Sequence, residues 1–538
     1  MLQSMSMHRR FWLCLLSAVL VWFSFPNFIE KNLAPWGAPL AWVAFIPFLL
    51  SLEGTTPKQA AWLGYFFGFA QIGSIIYWIA ILEEAKYLGP VAWAALVAYL
   101  SVYTSLFAWT YRKCTLLGLP PIWIAPVLWL GFEYFRGTQP WGGFNWGEIG
   151  FSQACFPNLS FWSGLAGEYG LTFLILLVNA YWADFLIKRF KNIRMPWRNW
   201  AAVFFPIVCL FSMMSIADFM ISSTPLNKLG TVGLLQPSVN QEEKWTKAFE
   251  NETYNRYEQL IQTCSRSKPD LILWPETGAP DFLRISPDLL SRVSRMVEEG
   301  STPELVGCLD VAKGVKNGLE YFNAALEFNP KGQPGKVYHK QHLVPFGEFV
   351  PFQKYISFLG PIVSDLGSFT PGSQYEKLSA RSFTYTPTIC YEAVFPGDMR
   401  NASKTGADVL VNISNDAWYG HTSAAFQHVQ MGILSSSELR KPLLRAANTG
   451  ISYITDPYGR VRALSGFFTR EALVGDVLVL SHPVTFYSAF GNWLPNLCLW
   501  LTGALLLLGL IRKSPGKTRT GSGPVEALPP PSASREAQ

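Results

Sequence analysis

The apolar positions of this chain fall into two regimes. Seven long apolar stretches occupy 11–29, 33–52, 60–82, 91–111, 116–135, 165–187 and 200–221, and an eighth runs over 486–511. Each is close to the ~20 residues that a helix needs to cross the hydrocarbon core of a bilayer, where backbone polar groups must pair within their own segment. Eight spanning helices are therefore expected. Between 229 and 482 the pattern changes to short β-type runs separated by turn residues and amphipathic helices. Strands are predicted at 231–236, 271–274, 305–309, 322–328, 383–390, 409–413, 451–455 and 474–480. Trp245, Phe249, Tyr257, Leu260, Ile261 and Cys264 recur at helical spacing, and Ser286-Pro287 opens another helix with Leu289, Val293 and Met296 on one face. The fold class expected is a polytopic α-helical membrane domain joined to an α/β domain.

Composition agrees with a membrane part: 50% of residues are hydrophobic, 15% aromatic and only 15% charged, too apolar for an ordinary soluble enzyme. The 43 Lys and Arg against 37 Asp and Glu form no concentrated basic stripe, which argues for loop topology rather than nucleic-acid binding. Arg9, Arg10, Lys58, Arg112, Lys113, Lys188, Arg189, Lys191, Arg194, Arg198, Arg512, Lys513, Lys517 and Arg519 all fall on one side when the spans are counted. By the positive-inside rule that side is the cytoplasm, with both termini there and the α/β domain opposite. The first span has a charged start but no small-x-small cleavage site, so it is expected to remain as an anchor. The division that follows is a membrane domain at 1–228, an extracytoplasmic domain at 229–482, an eighth span at 483–513 and a disordered cytoplasmic tail at 514–538. The Trp141 to Trp146 loop suits an aromatic belt at the outer interface, or else contacts substrate directly.

The eight cysteines show no paired spacing and the six histidines are scattered, with His339 and His342 the one close pair. Neither a disulfide framework nor a metal site is indicated, and no cofactor is expected. Cys390 ends the apolar run Pro387-Thr388-Ile389 and is followed two residues later by Glu392. Alone, such a cysteine is more often a small buried hydrophobe than a nucleophile. Two upstream stretches change its reading: Leu271-Ile272-Leu273-Trp274-Pro275-Glu276 ends on a carboxylate, and Tyr338-His339-Lys340 precedes Pro345-Phe346-Gly347-Glu348.

Glu, Lys and Cys in that chain order resemble the carbon-nitrogen hydrolase (nitrilase) superfamily, through the blocks Trp274-Pro275-Glu276-Thr277, Lys340 with Pro345-Phe346-Gly347-Glu348, and Cys390-Tyr391-Glu392. The resemblance implies a nitrilase-like α-β-β-α sandwich, with Cys390 as nucleophile, Glu276 as general base and then acid, and Lys340 stabilising the tetrahedral oxyanion. Glu348 and Glu392 are expected to orient Lys340 or relay charge. Such a domain between the seventh and eighth spans resembles the superfamily's bacterial lipoprotein N-acyltransferase branch. That branch implies an inner-membrane enzyme in which Cys390 takes an acyl chain from a glycerophospholipid. The thioester is then attacked by the α-amino group of the lipidated N-terminal Cys of a diacylated apolipoprotein. Trp245 matches a branch tryptophan near the acyl pocket or is a helix-face core residue, and Tyr391 is expected to shape the pocket. The largely apolar stretch 349–369 is either an arm dipping toward lipid or a packed amphipathic helix. The stretch 412–420 also fits the branch's pattern, or marks a strand-to-helix loop. A monomer is expected.

Two other readings stay open on sequence. A membrane-anchored amidase would use the same three residues and pass the acyl group to water. A transporter with a regulatory outer domain is disfavoured because Glu133, Glu168 and Asp184 lie near span edges and mark no ion pathway. His421 and His428 leave a Cys-His mechanism formally available.

Overall fold

The computed structural model of the protein describes residues 5–82, 87–140, 142–191, 198–244, 247–313, 318–349 and 368–512. Trp141, Trp245, most of the stretch 349–369 and the tail at 514–538 lie outside these residues.

The N-terminal region is a helical bundle. Its main helices are Met7–Phe23, Pro57–Ile75, Gly89–Leu116, Pro121–Thr138, Glu168–Phe190 and Arg198–Ser223, and Trp493–Ile511 joins them from the far end of the chain. Where the sequence predicts eight spans, four helices among the described residues are long and apolar enough to cross a membrane. These are Gly89–Leu116, Glu168–Phe190, Phe204–Ser223 and Trp493–Ile511. The stretch expected to span at 33–52 is interrupted: a short 3-10 turn, Ala38–Trp42, precedes a separate helix, Ile46–Leu52. Pro39 and Pro47 each sit in the first turn of one of these pieces, where their missing N–H is tolerated. Gly64 and Gly68 let helix Pro57–Ile75 lie against Gly89–Leu116; a Cβ on Gly64 would come within 2.4 Å of the Thr104 carbonyl oxygen.

Basic residues counted to one side of the membrane meet at one end of this bundle. Arg112 and Lys191 approach the Glu53 carboxylate at 3.7 and 2.9 Å, and Arg10 donates to the Glu53 carbonyl at 2.6 Å.

Thirteen strands build the second region among the described residues: β1 (Asn227–Gln236), β2 (Leu271–Leu273), β3 (Ala279–Phe282), β4 (Glu304–Lys313), β5 (Leu319–Phe328), β6 (Pro334–His339), β7 (Leu378–Ser379), β8 (Thr384–Ile389), β9 (Val409–Ser414), β10 (Leu443–Ala447), β11 (Tyr453–Thr455), β12 (Val461–Leu464) and β13 (Glu471–Val479). They form two sheets, ordered β13-β1-β2-β4-β5-β6, with β3 beside β4, and β12-β11-β10-β9-β8-β7.

Strand periodicity decides how the layers stack. Val232 and Leu234 of β1 and Val409, Val411 and Ile413 of β9 share one apolar cluster between the sheets. Leu235 instead packs with residues of helices Glu250–Ser265 and Pro287–Gly300. Leu410 packs with residues of helices Pro396–Ser403 and Ala424–Leu439. Alternate residues of each strand thus serve two different cores, which gives helix, sheet, sheet and helix layers.

The two regions share apolar packing. Ala424, Met431 and Leu434 on helix Ala424–Leu439 belong to the bundle's cluster, as do Tyr391, Val394 and Phe395, which follow Cys390. Trp146, expected in an interfacial belt, is instead internal. It is 2% exposed, and its indole donates to Gln427 of that same helix, because a buried indole N–H must find an acceptor.

Candidate active site

Three strand ends deliver the residues singled out in the sequence. Glu276 follows β2, Lys340 follows β6 and Cys390 follows β8. β2 and β4 run parallel, and two antiparallel pairings carry that direction to β6, so Glu276 and Lys340 emerge from the same edge of their sheet.

Lys340 Nζ lies 2.9 Å from Glu348 Oε1 and 3.4 Å from Glu276 Oε1. Burial opposes its charge, but Glu348 and then Glu276 outweigh that and hold the amine protonated, above the usual lysine range. The second oxygens of both acids are fixed by backbone N–H groups: Glu276 Oε2 accepts from Asn415 at 2.9 Å and Glu348 Oε2 from Val344 at 2.8 Å. Asn323 bridges the pair, its Nδ2 donating to Glu276 Oε1 at 2.7 Å and to Glu348 Oε1 at 2.8 Å.

Cys390 is 7% exposed and adopts φ +48°, a left-handed conformation that costs a non-glycine residue about 1–3 kcal/mol and persists only where its surroundings enforce it. Burial pushes its thiol well above the usual range; Glu276 adds to the rise and Lys340 opposes it. Thr277 has a similar φ, +46°. The Glu276 turn is pressed so closely onto β4 that a Cβ on Gly307 would stand 2.2 Å from the Pro275 carbonyl oxygen.

Among the described residues Glu392 bonds to groups other than the Lys340 amine. Its two oxygens accept from the backbone of Ile389, Gln341 and His342 at 2.6, 2.8 and 3.2 Å and from the Tyr338 hydroxyl at 2.8 and 2.9 Å. It therefore ties the Cys390 turn to the backbone just after Lys340. Burial lifts its carboxyl to about 7 although those N–H groups pull it down. Tyr391 packs its ring against His342 and Phe395.

Several residues here were not singled out as site residues. Asn323 interrupts the apolar run of β5, and a polar residue within such a run is a usable signal. Lys244, beside Trp245, donates from Nζ to the Glu276 carbonyl at 3.0 Å and to the Thr277 hydroxyl. Burial lowers its amine to about 7, with Glu276 and Cys390 acting the other way. His428, left available for a Cys-His mechanism, directs Nε2 at the Cys390 carbonyl oxygen, 3.1 Å away, and Nδ1 at Asp416 and Arg445.

Chemically, the arrangement brings together a buried thiol, a carboxylate and a protonated amine, which are the components of acyl transfer through a thioester. The family model described as apolipoprotein N-acyltransferase N-terminal domain matches residues 17–181, and the one described as carbon-nitrogen hydrolase matches 231–479. The chain is 32% identical over 520 residues to the apolipoprotein N-acyltransferase of Geobacter metallireducens, covering 94% of this chain and 96% of that one. It is 29% identical to the enzyme of the same name from Chlorobaculum tepidum, over 94% and 97% of the two chains. With that of Vibrio vulnificus the identity is 30%, over 85% and 90%.

Proposed function

Because the chain belongs to the apolipoprotein N-acyltransferase family and is an acyltransferase, we propose that Cys390, Glu276 and Lys340 carry out a two-step transfer on lipid substrates. In the first step Glu276 takes the thiol proton and the Cys390 sulfur bonds to an ester carbonyl of a glycerophospholipid. Lys340 stabilises the oxyanion. Collapse breaks the ester C–O bond, and Glu276 returns the proton to the departing glycerol oxygen, leaving a thioester and a lysophospholipid. In the second step the α-amino group of a diacylated apolipoprotein's N-terminal Cys attacks the thioester carbonyl. Its proton passes through Glu276 to the released sulfur, and an amide results.

One observation carries this reading: Tyr391, Val394 and Phe395, immediately after the nucleophile, belong to the same apolar cluster as the bundle's buried side chains. A thiol at that junction can meet an acyl chain without drawing a two-chain lipid out of the bilayer, a transfer opposed by about 0.8 kcal/mol per CH₂. We extend the reading to an eight-span, inner-membrane protein with both termini cytoplasmic and the domain at 229–482 on the outer side. The convergence of Arg10, Arg112 and Lys191 on Glu53 supports that orientation. Glu348 orients Lys340, while Glu392 holds the backbone that carries it.

Intact-mass measurement after incubation with phospholipid tests the chemistry. A hydroxylamine-sensitive acyl adduct is expected on the unaltered protein and not on Cys390→Ala, and only a diacylated lipopeptide should discharge it quickly. Rapid discharge to water instead would identify an amidase-like hydrolase. Lys340→Met is expected to slow adduct formation about 100-fold, the usual effect of losing one oxyanion donor.

A further inference from the structure

Two side chains that take no part in the proposed proton transfers meet the carbonyl oxygen of Cys390: Asn412 Nδ2 at 3.3 Å and His428 Nε2 at 3.1 Å. The direction of an amide or imidazole is set by its remaining partners. Here both have the same one. Arg445 Nη1 donates to Asn412 Oδ1, which turns the amide nitrogen toward Cys390 and toward Thr388 Oγ1 at 3.1 Å. Arg445 Nη2 lies 3.0 Å from His428 Nδ1. Arg445 Nη1 also lies 3.4 Å from Nε2, but Nη1 donates to Asn412 Oδ1 and the shorter approach is that of Nη2 to Nδ1. A guanidinium only donates, so Nδ1 accepts, Nε2 carries the hydrogen, and that hydrogen points at the Cys390 carbonyl.

Asp416 Oδ1, 3.2 Å from His428 Nδ1, competes for the opposite tautomer. That tautomer would set an N–H against the guanidinium and a lone pair against the Cys390 carbonyl, whereas the first satisfies both neighbours. A doubly protonated ring would place a second cation beside Arg445; burial first, and Arg445 next, lower the His428 pKa. Asp416 is already occupied, accepting from Arg445 Nη2 at 2.9 Å on each oxygen and from Ser414 Oγ at 2.9 Å.

Arg445, Asp416 and His428 are all completely buried. A buried ion pair rarely stabilises a fold more than apolar residues of the same size would. Its distinctive effect here is geometric, at a residue whose positive φ needs enforcement. We propose that Arg445 is a positioning residue for the nucleophile: by orienting the Asn412 amide and the His428 imidazole it supplies two N–H donors to the Cys390 carbonyl and locks the left-handed backbone at that position. This rests on the reading of Cys390 as the nucleophile.

The test is single-turnover acylation of the full chain in phospholipid nanodiscs, followed by intact mass, for Asn412→Asp, His428→Gln, Arg445→Lys and their combination. Asn412→Asp keeps the side-chain size and the acceptor for Arg445 but loses the N–H to Cys390. Asn412→Asp and Arg445→Lys are each expected to lower the acylation rate constant about 100-fold, as misplacing a reacting group does, with the phospholipid concentration for half-maximal rate unchanged. In the Asn412→Asp, His428→Gln background, Arg445→Lys should cost less than about threefold more, because its effect passes through those two residues. Full-rate acylation by folded Asn412→Asp, or an undiminished Arg445→Lys effect in the double background, would overturn the proposal. If Arg445→Lys does not fold, Asn412→Asp decides: a wild-type rate rejects the proposal. Absence of any adduct on the unaltered protein would overturn the Cys390 reading and this inference with it, whereas a full-rate adduct on Asn412→Asp overturns this inference alone.

Discussion

Lys340 is a buried cation held charged by two carboxylates, and it opposes the upward push on the Cys390 thiol more strongly than the Ser414 hydrogen bond does. A thiol kept above its ordinary range has little thiolate at neutral pH, so alkylation of Cys390 by iodoacetamide should climb steadily through about pH 9 without levelling off near the usual ~8.5. Removing the opposing cation moves the thiol further the same way. Lys340→Met should therefore slow alkylation at every pH in that range, and an unchanged profile would contradict the assigned electrostatics. Glu348→Gln keeps the hydrogen-bond acceptor but removes one of the two charges on Lys340, and is expected to reduce acylation about 10-fold as Lys340 loses its orientation. The sequence made Glu276, Lys340 and Cys390 legible because each ends a block of distinctive residues. Asn323, Asn412 and Arg445 were harder to see as site residues: each is a polar residue flanked by apolar ones within a strand, and what its side chain bonds lies at least 17 positions away in the chain.

At the scale of elements, the site depends on how closely one turn approaches one strand. Gly307 on β4 leaves room for the Pro275 carbonyl and Glu276 Cα, which a Cβ would meet at 2.2 and 2.9 Å. Gly307→Ala must displace the turn carrying Glu276. It is expected to cost about 1–3 kcal/mol of stability from overpacking, measurable as a lowered unfolding midpoint, and to slow acylation about 10-fold or more. Gly406→Ala, whose added Cβ would come no closer than 4.0 Å to another residue, Lys377, at a φ of +76°, separates backbone strain from the loss of acylation. Strand prediction found the longer apolar or alternating runs but missed β3, β6, β7, β10 and β12; in β10, Arg445 breaks the run Leu443-Leu444-Arg445-Ala446-Ala447. Pairing overrode that local signal: β10 lies between β9 and β11, and the guanidinium finds Asp416, Asn412 and Ser414 within the domain.

For the whole molecule, the junction between bundle and sandwich sets what the enzyme can reach. Trp146 reaches from the bundle to Gln427, and the Glu168 backbone N–H donates to Glu438, so helix Ala424–Leu439 is fastened to the bundle at both ends. Trp146→Ala removes an internal anchor; acylation is expected to fall together with the unfolding midpoint, by about 3–5 kcal/mol of stability. If Trp146 belonged to a lipid-facing belt, neither would change appreciably. Orientation is testable separately: in intact cells a membrane-impermeant maleimide should label a cysteine placed at Glu298, on the sandwich, and not one placed at Lys58, near the end where Glu53 gathers Arg112 and Lys191. The division into an apolar bundle and an α/β domain, and the three blocks bearing Glu276, Lys340 and Cys390, were determined by the sequence itself, because hydropathy, strand periodicity and local motifs are properties of neighbouring residues. Tertiary structure decided the rest. Only folding brings Asn323 between Glu276 and Glu348, turns Glu392 onto the backbone after Lys340, draws Trp146 inside and sets the His428 and Asn412 donors on the Cys390 carbonyl, since each of these contacts depends on how separate strands and helices are stacked.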